Sequence, residues 1–288
     1  MTNSGVDRAR ALAAAGPPRG VRIFQLPTGT YETPAALAFQ GGSFRDRRQF
    51  AATAVLVQHP AGDVLIDAGF GAQAEEHIRM LPAFRRSPHS LGPTVSEQLD
   101  AAGYDRARVI GVILTHSHWD HVSGLDSLDV PVLVTEEELR YADRQRGDRV
   151  FRRVAAGGRL RTYDLDGPAH LGFPASHDLH GDGSVVILPA PGHTTGSVVI
   201  VVTVRPDERY AFIGDLAWQL DGITRGVRRP LLMRLLADSD PAQIRRDLAR
   251  VTALSRHMRI VPAHDARGYD GIPLLVPGHG TDLDTSGT

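Results

Sequence analysis

Between Leu114 and Gly124 the chain reads Leu-Thr-His-Ser-His-Trp-Asp-His-Val-Ser-Gly, placing four metal-ligating side chains, His116, His118, Asp120 and His121, within six positions. The residues before them, Val109 to Thr115, read as a fully buried strand. Packing has no use for four polar groups gathered behind such a strand, so the fold must give them another occupation. In extended chain, residues two apart point the same way, and His116 and His118 can therefore grip one ion together. A turn into a following helix redirects Asp120 and His121 toward a second point a few ångströms away. Imidazole and carboxylate suit zinc, and iron, cobalt or manganese less selectively.

Three later segments repeat the pattern of a strand followed by a ligand. Ile187 to Ala190 leads through Pro191 and Gly192 to His193, Phe212-Ile213-Gly214 leads to Asp215, and Ile260 to Ala263 leads to His264. Each alone is an ordinary turn signal. Together they are what a metal site at one edge of a sheet requires.

Composition narrows the chemistry to the same end. The chain has no cysteine, and all 32 of its basic residues are arginine. Thiolate nucleophiles and ligands, disulfides, iron–sulfur clusters, lysine Schiff bases and a complete P-loop are thereby excluded. A net charge of −1 leaves no electrostatic footprint for nucleic acid. No apolar run approaches the ~18 residues of a membrane span. The first 20 residues are a poor secretory signal and read as a disordered tail, so a cytoplasmic location is expected by default.

The ordered domain is expected over 21–274, with a C-terminal tail at 275–288. Strands are predicted at 21–26, 54–58, 64–67, 109–115, 130–134, 185–188, 197–204, 209–213 and 259–261. Helices are predicted at 72–81, 93–103, 136–144 and 241–256, the last capped by Asp240 with Pro241 at its first position. Residues 27–50 read as an irregular excursion, equally suited to a lid or a homodimer contact. The arginine-rich run 140–161 reads as a solvated helical face and loop. Strands leading into helices in both halves suggest an α/β sandwich with helices on its outer faces.

The motif HSHWDH, followed in order by PGHT, GD and PAHD, resembles the metallo-β-lactamase superfamily over roughly residues 21–270. The resemblance implies a four-layer αβ/βα sandwich with a dinuclear metal site at one sheet edge. Carried over residue by residue, it gives His116, His118 and His193 to a first ion. Asp120, His121 and His264 go to a second, and Asp215 bridges the two. His279, in Val276-Pro277-Gly278-His279-Gly280, competes with His264 for the last place. His264 is favoured because it directly follows the 241–256 helix and a strand.

Two divalent cations, zinc being expected, bring a shared water toward neutral pKa and supply a bridging hydroxide that attacks a small-molecule substrate. Asp120 can take its proton and pass it to the leaving alkoxide. The later motifs are similar to those of quorum-quenching N-acyl-homoserine lactonases, which implies hydrolysis of a lactone or ester. A glyoxalase II-like thioesterase, a phosphodiesterase and a mononuclear iron sulfur oxygenase are the alternatives. Lactonases of that group carry tyrosine three positions after the bridging aspartate, where this chain has Trp218. Trp218, Trp119 and Phe44 are expected to shape the substrate pocket. The run Leu231 to Leu236 reads as a helix packed on the core, with an acyl-chain wall as the alternative.

Overall fold

The computed structural model describes residues 19–144, 149–156 and 158–278. Most of both expected tails, His279 among them, lies outside the described residues. Seven strands, β1 (Arg22–Pro34), β2 (Arg47–Gln58), β3 (Asp63–Ile66), β4 (His89–Leu91), β5 (Val109–Ile113), β6 (Val132–Val134) and β7 (Leu160–Thr162), form one sheet in the order β4-β1-β2-β3-β5-β6-β7. A second sheet has β8 (His177–Asp178), β9 (Val185–Pro189), β10 (Val198–Arg205), β11 (Glu208–Phe212) and β12 (Arg259–Val261) in the order β12-β11-β10-β9-β8. The helices are α1 (Ala35–Ala38), α2 (Ala74–Met80), α3 (Val95–Ala101), α4 (Trp119–Val122), α5 (Glu136–Arg144), α6 (Arg149–Val154), α7 (Asp221–Thr224), α8 (Leu231–Ala237) and α9 (Pro241–Leu254).

Period-2 alternation in uninterrupted apolar strands builds the layers. Val55, Val57, Val64, Ile66 and Ile113 face Val185, Ile187, Val198, Ile200 and Val202 across the sandwich interior. Their sequence neighbours Leu56, Leu65, Val112 and Leu114 point outward against Val95 and Leu99 of α3 and Phe151 and Val154 of α6. On the other side Val186, Leu188, Val199 and Val201 pack against Ile244, Val251 and Leu254 of α9. Strands buried on both faces need apolar residues at every position, which is why the run Val198–Arg205 hardly alternates in polarity. Each such side chain contributes about 1.5–3 kcal/mol when fully buried. The result is the expected four-layer αβ/βα sandwich.

Helix ends follow local chemistry. Thr94 and Glu97 form a reciprocal capping box on α3, and Asp240 caps α9 by accepting from Ala242 N and Gln243 N. Among the described residues no helix is long and apolar enough to cross a membrane.

The structure corrects three expectations. Residues 27–50 are half strand: β1 and β2 continue as paired arms to Pro34↔Arg47, with a register shift between Pro27 and Gly29, and α1 and a loop join the arms. The arginine-rich run holds α6, whose Val150, Phe151 and Val154 are buried, while its arginines stay at the surface. In α8, Leu231, Leu232, Leu235 and Leu236 are 61, 60, 72 and 51% exposed, so this helix does not pack on the core.

Candidate metal centre

Four strand ends deliver the ligand candidates. β5 runs through Leu114 and Thr115 into His116, and His118 stands at the N-cap of α4, which carries Asp120 and His121. His193 follows β9 in a tight turn where Gly192 takes φ +145° and a side chain would meet Ile244 Cγ1 at 2.7 Å. Asp215 follows β11 beyond Gly214, itself at φ +49°. His264 follows β12.

The structure brings all seven together in two sets. Ligand atoms of His116, His118, His193 and Asp215 all lie within 4.8 Å of one another, as do those of Asp120, His121 and His264. Asp215 faces both sets with different oxygens. Its Oδ2 lies 3.3 Å from His193 Nε2 and 3.9 Å from His116 Nε2, while Oδ1 lies 2.9 Å from His264 Nε2 and 3.4 Å from His121 Nε2.

The donor set fits divalent cations. His116 Nε2, His121 Nε2, His264 Nε2 and Asp215 Oδ1 are buried and make no hydrogen bond within the described protein. Orphaned buried polar atoms are uncommon, and here four of them converge. Burial and the neighbouring imidazoles hold His116 and His118 well below the usual histidine range, so both are neutral and able to ligate. In the other half, burial works against charged His121 and His264, but Asp67 beside His121 and Asp215 beside His264 outweigh it and raise both. Burial likewise opposes a charged Asp215, yet His264, His121 and His193 keep its carboxyl well below the ordinary range.

The far ring nitrogens are held in turn. His121 Nδ1 bonds Asp67 Oδ2 at 2.8 Å, His193 Nδ1 bonds Asp238 Oδ1 at 3.1 Å, and His264 Nδ1 donates to the Ala51 carbonyl at 2.9 Å. Such outer partners fix ring orientation. Asp67 sits at φ +54°, a strained conformation for a non-glycine residue, and accepts from both Thr115 N and Thr115 Oγ1 at 2.8 Å. Arg229 pairs with Asp238 and stacks over Trp218 at 4.5 Å.

Glu138 on α5 joins two ligand-bearing loops. Its Oε1 accepts from Ser117 N and Oγ, both at 2.7 Å, and its Oε2 accepts from Thr194 Oγ1 at 2.6 Å and Gly196 N at 3.2 Å. Sequence reading missed Asp67, Asp238, Glu138 and Tyr31. For Asp67 a signal existed, because it too is a polar residue directly after a buried strand.

The centre opens into a cavity of about 510 Å³. Trp119 and Trp218 line it with Tyr31 and Phe50, and α8 contributes Leu232, Met233 and Leu236. Phe44 is not among its lining residues and is 72% exposed. Trp218 Nε1 donates to Asp215 Oδ2 at 2.8 Å, and Tyr31 OH donates to Asp120 Oδ2 at 2.8 Å.

A family model described as the metallo-beta-lactamase superfamily matches residues 47–264. A probable metallo-hydrolase of Mycobacterium tuberculosis is 31% identical over 238 residues, 75% of this chain and 74% of that protein. The N-acyl homoserine lactonase AttM of Agrobacterium fabrum is 23% identical over 218 residues, 70% of this chain and 78% of AttM. Among solved structures, an N-acyl homoserine lactone hydrolase holding the product N-hexanoyl-L-homoserine at its catalytic metal centre superposes with a TM-score of 0.70 at 14% identity. That match covers 89% of this chain and 98% of the other. At such identity the likeness is one of fold.

Proposed function

The chain belongs to the metallo-β-lactamase superfamily of metal-dependent hydrolases, and from that premise we propose that it opens a lactone or ester of the N-acyl-homoserine lactone kind, as a quorum-quenching enzyme does. The observation that carries this reading is the position of Asp215, one oxygen toward each set of imidazoles, lining a cavity with an apolar wall. His116, His118 and His193 would hold one ion, Asp120, His121 and His264 the other, and Asp215 would serve both. Zinc suits this all-imidazole and carboxylate set.

Two such cations, when bound, would supply a water acidic enough to act as nucleophile near neutral pH, and positive charge for the substrate carbonyl. Asp120 faces the cavity and takes the proton of the attacking water, then returns it to the leaving alkoxide. Trp119, Trp218 and the inner side of α8 offer an apolar wall for an acyl chain. The indole of Trp218, bonded to Asp215, steadies that carboxylate. Where lactonases of this kind have tyrosine, this chain thus uses a donor of fixed direction.

A thioesterase is the second reading, favoured by Arg47 and Arg85 in the cavity lining, since guanidinium forks bind anionic groups well. Steady-state assays of the metal-loaded protein on lactones of graded acyl length, thioesters and phosphodiesters, with elemental analysis, separate the readings. Lactones are expected to give the highest kcat/KM with about two metals per chain. Full metal occupancy without lactone turnover would refute the lactonase reading.

A further inference from the structure

Two aromatic donors in the cavity lining reach carboxylates of the centre, and they differ in what they can do next. The indole N–H of Trp218 points along its ring plane at Asp215 Oδ2, and the ring is fixed between Phe50, edge-on at 5.7 Å, and the Arg229 guanidinium. An indole N–H donates in one direction only. A phenol O–H turns about its C–O bond, so Tyr31 can exchange one acceptor for another without moving its ring.

That ring is firmly placed. Tyr31 stands opposite Phe50 in the β1–β2 ladder, and its ring lies 5.2 Å from Phe50, 5.9 Å from Trp119, 5.6 Å from His264 and 6.4 Å from Phe70. Its hydroxyl meets the same Asp120 oxygen that lies 3.5 Å from His264 Nε2, so it reaches the inner atoms of the Asp120, His121 and His264 set. Tyr141, the other phenol in the cavity lining, sits differently. Its hydroxyl is 3.4 Å from His118 Nε2, on the side of that ring away from the 2.9 Å contact between His118 Nδ1 and His193. Tyr141 can orient His118, whereas Tyr31 faces the place where a reacting group would lie.

We propose that Tyr31 is a catalytic hydrogen-bond donor, turning its hydroxyl from Asp120 Oδ2 to the substrate's carbonyl oxygen as negative charge develops there. A phenol carries its proton at neutral pH and can donate it in a hydrogen bond. A donor that exchanges its acceptor for an oxyanion only as that charge develops acts more strongly in the transition state than in the ground state. The inference rests on the hydrolase reading of the same site.

The test is Tyr31→Phe, which keeps the ring packing and removes only the hydroxyl. In the metal-loaded protein, kcat should fall about 100-fold, the loss typical of one oxyanion donor, with KM changed less than about 3-fold. Metal content and thermal midpoint should match the wild type. Independently of turnover, calorimetric affinity for an alkyl phosphonate monoester, a tetrahedral anion resembling the transition state, should fall by a similar factor. Equal phosphonate affinity in the two proteins, or no measurable binding by either, overturns the inference, as does loss of metal from the variant. Absence of lactone turnover by the wild type would sink the lactonase reading instead, and the phosphonate comparison would still decide the role of Tyr31.

Discussion

Replacing Glu138 with alanine should destabilise the metal-free protein by about 3–4 kcal/mol, although Glu138 touches none of the proposed ligands directly. The side chain is 1% exposed and accepts from Ser117 N, Ser117 Oγ, Thr194 Oγ1 and Gly196 N. Each hydrogen bond to a charged group contributes about 1.5–3 kcal/mol, and a buried donor left bare costs a comparable amount. Two effects reduce the sum: water can enter the vacated space, and the cost of burying the carboxylate, which pushes its pKa up, is recovered. Glu138→Gln keeps one oxygen to accept from Ser117 but turns an NH₂ toward Gly196 N, so a loss of about 1–2 kcal/mol is expected. Urea denaturation in chelator at neutral pH measures both, with unchanged slopes confirming comparable unfolding. A loss below about 1 kcal/mol for Glu138→Ala would refute the idea that this carboxylate clamps the 116–118 and 193–196 loops together.

Asp67→Asn should weaken metal binding about 10–100-fold, because His121 loses the carboxylate that fixes its ring; competition with a chromophoric chelator measures this, and unchanged affinity would count against that role. Arg267 pairs with Asp221 at 2.9 Å and Asp265 at 2.7 Å. Burial opposes both carboxylates, but the guanidinium prevails and holds them below the ordinary range. Depressed folded-state pKa values stabilise above the unfolded value of about 4 and cease to do so as pH falls through the folded one. The difference in Tm between wild type and Arg267→Ala, measured without metal, should thus be full at pH 6 and shrink toward pH 3. A constant difference would contradict the assignment.

What sequence could and could not show divides along the range of the interactions. The ligand candidates were legible because each is a local event, a buried strand followed at once by a polar residue. The arms of β1 and β2 were not, because Pro27 and Gly29 look like loop residues and the strand is defined by partners about 13–36 positions away. Tyr31 was lost with them. In the arginine-rich run, exposed guanidiniums dominate the composition and hide Val150, Phe151 and Val154. Glu138 is the third of three consecutive glutamates, and nothing local separates it from its exposed neighbours Glu136 and Glu137. Phe44 shows the converse: a large apolar residue near the right segment whose side chain faces solvent.

The same carboxylates explain how a centre without cysteine or lysine can be held in place before it has a cation. Asp67 and Asp215 attract protons onto His121, and Asp215 does the same for His264, while His116 and His118 remain neutral. Protons on one half thus offset the carboxylate charge that an ion would otherwise balance. A cation held by these nitrogens would have to displace them, so its binding would release protons and strengthen as pH rises. The arrangement also separates two demands. Orientation is fixed by the outer contacts of Asp67, Asp238 and the Ala51 carbonyl, which involve the far ring nitrogens and need not change when an ion enters. Charge is balanced on the inner nitrogens, where protons and metal are alternatives. With the far nitrogens already bonded to Asp67, Asp238 and Ala51, a cation at the near ones would find these three rings oriented.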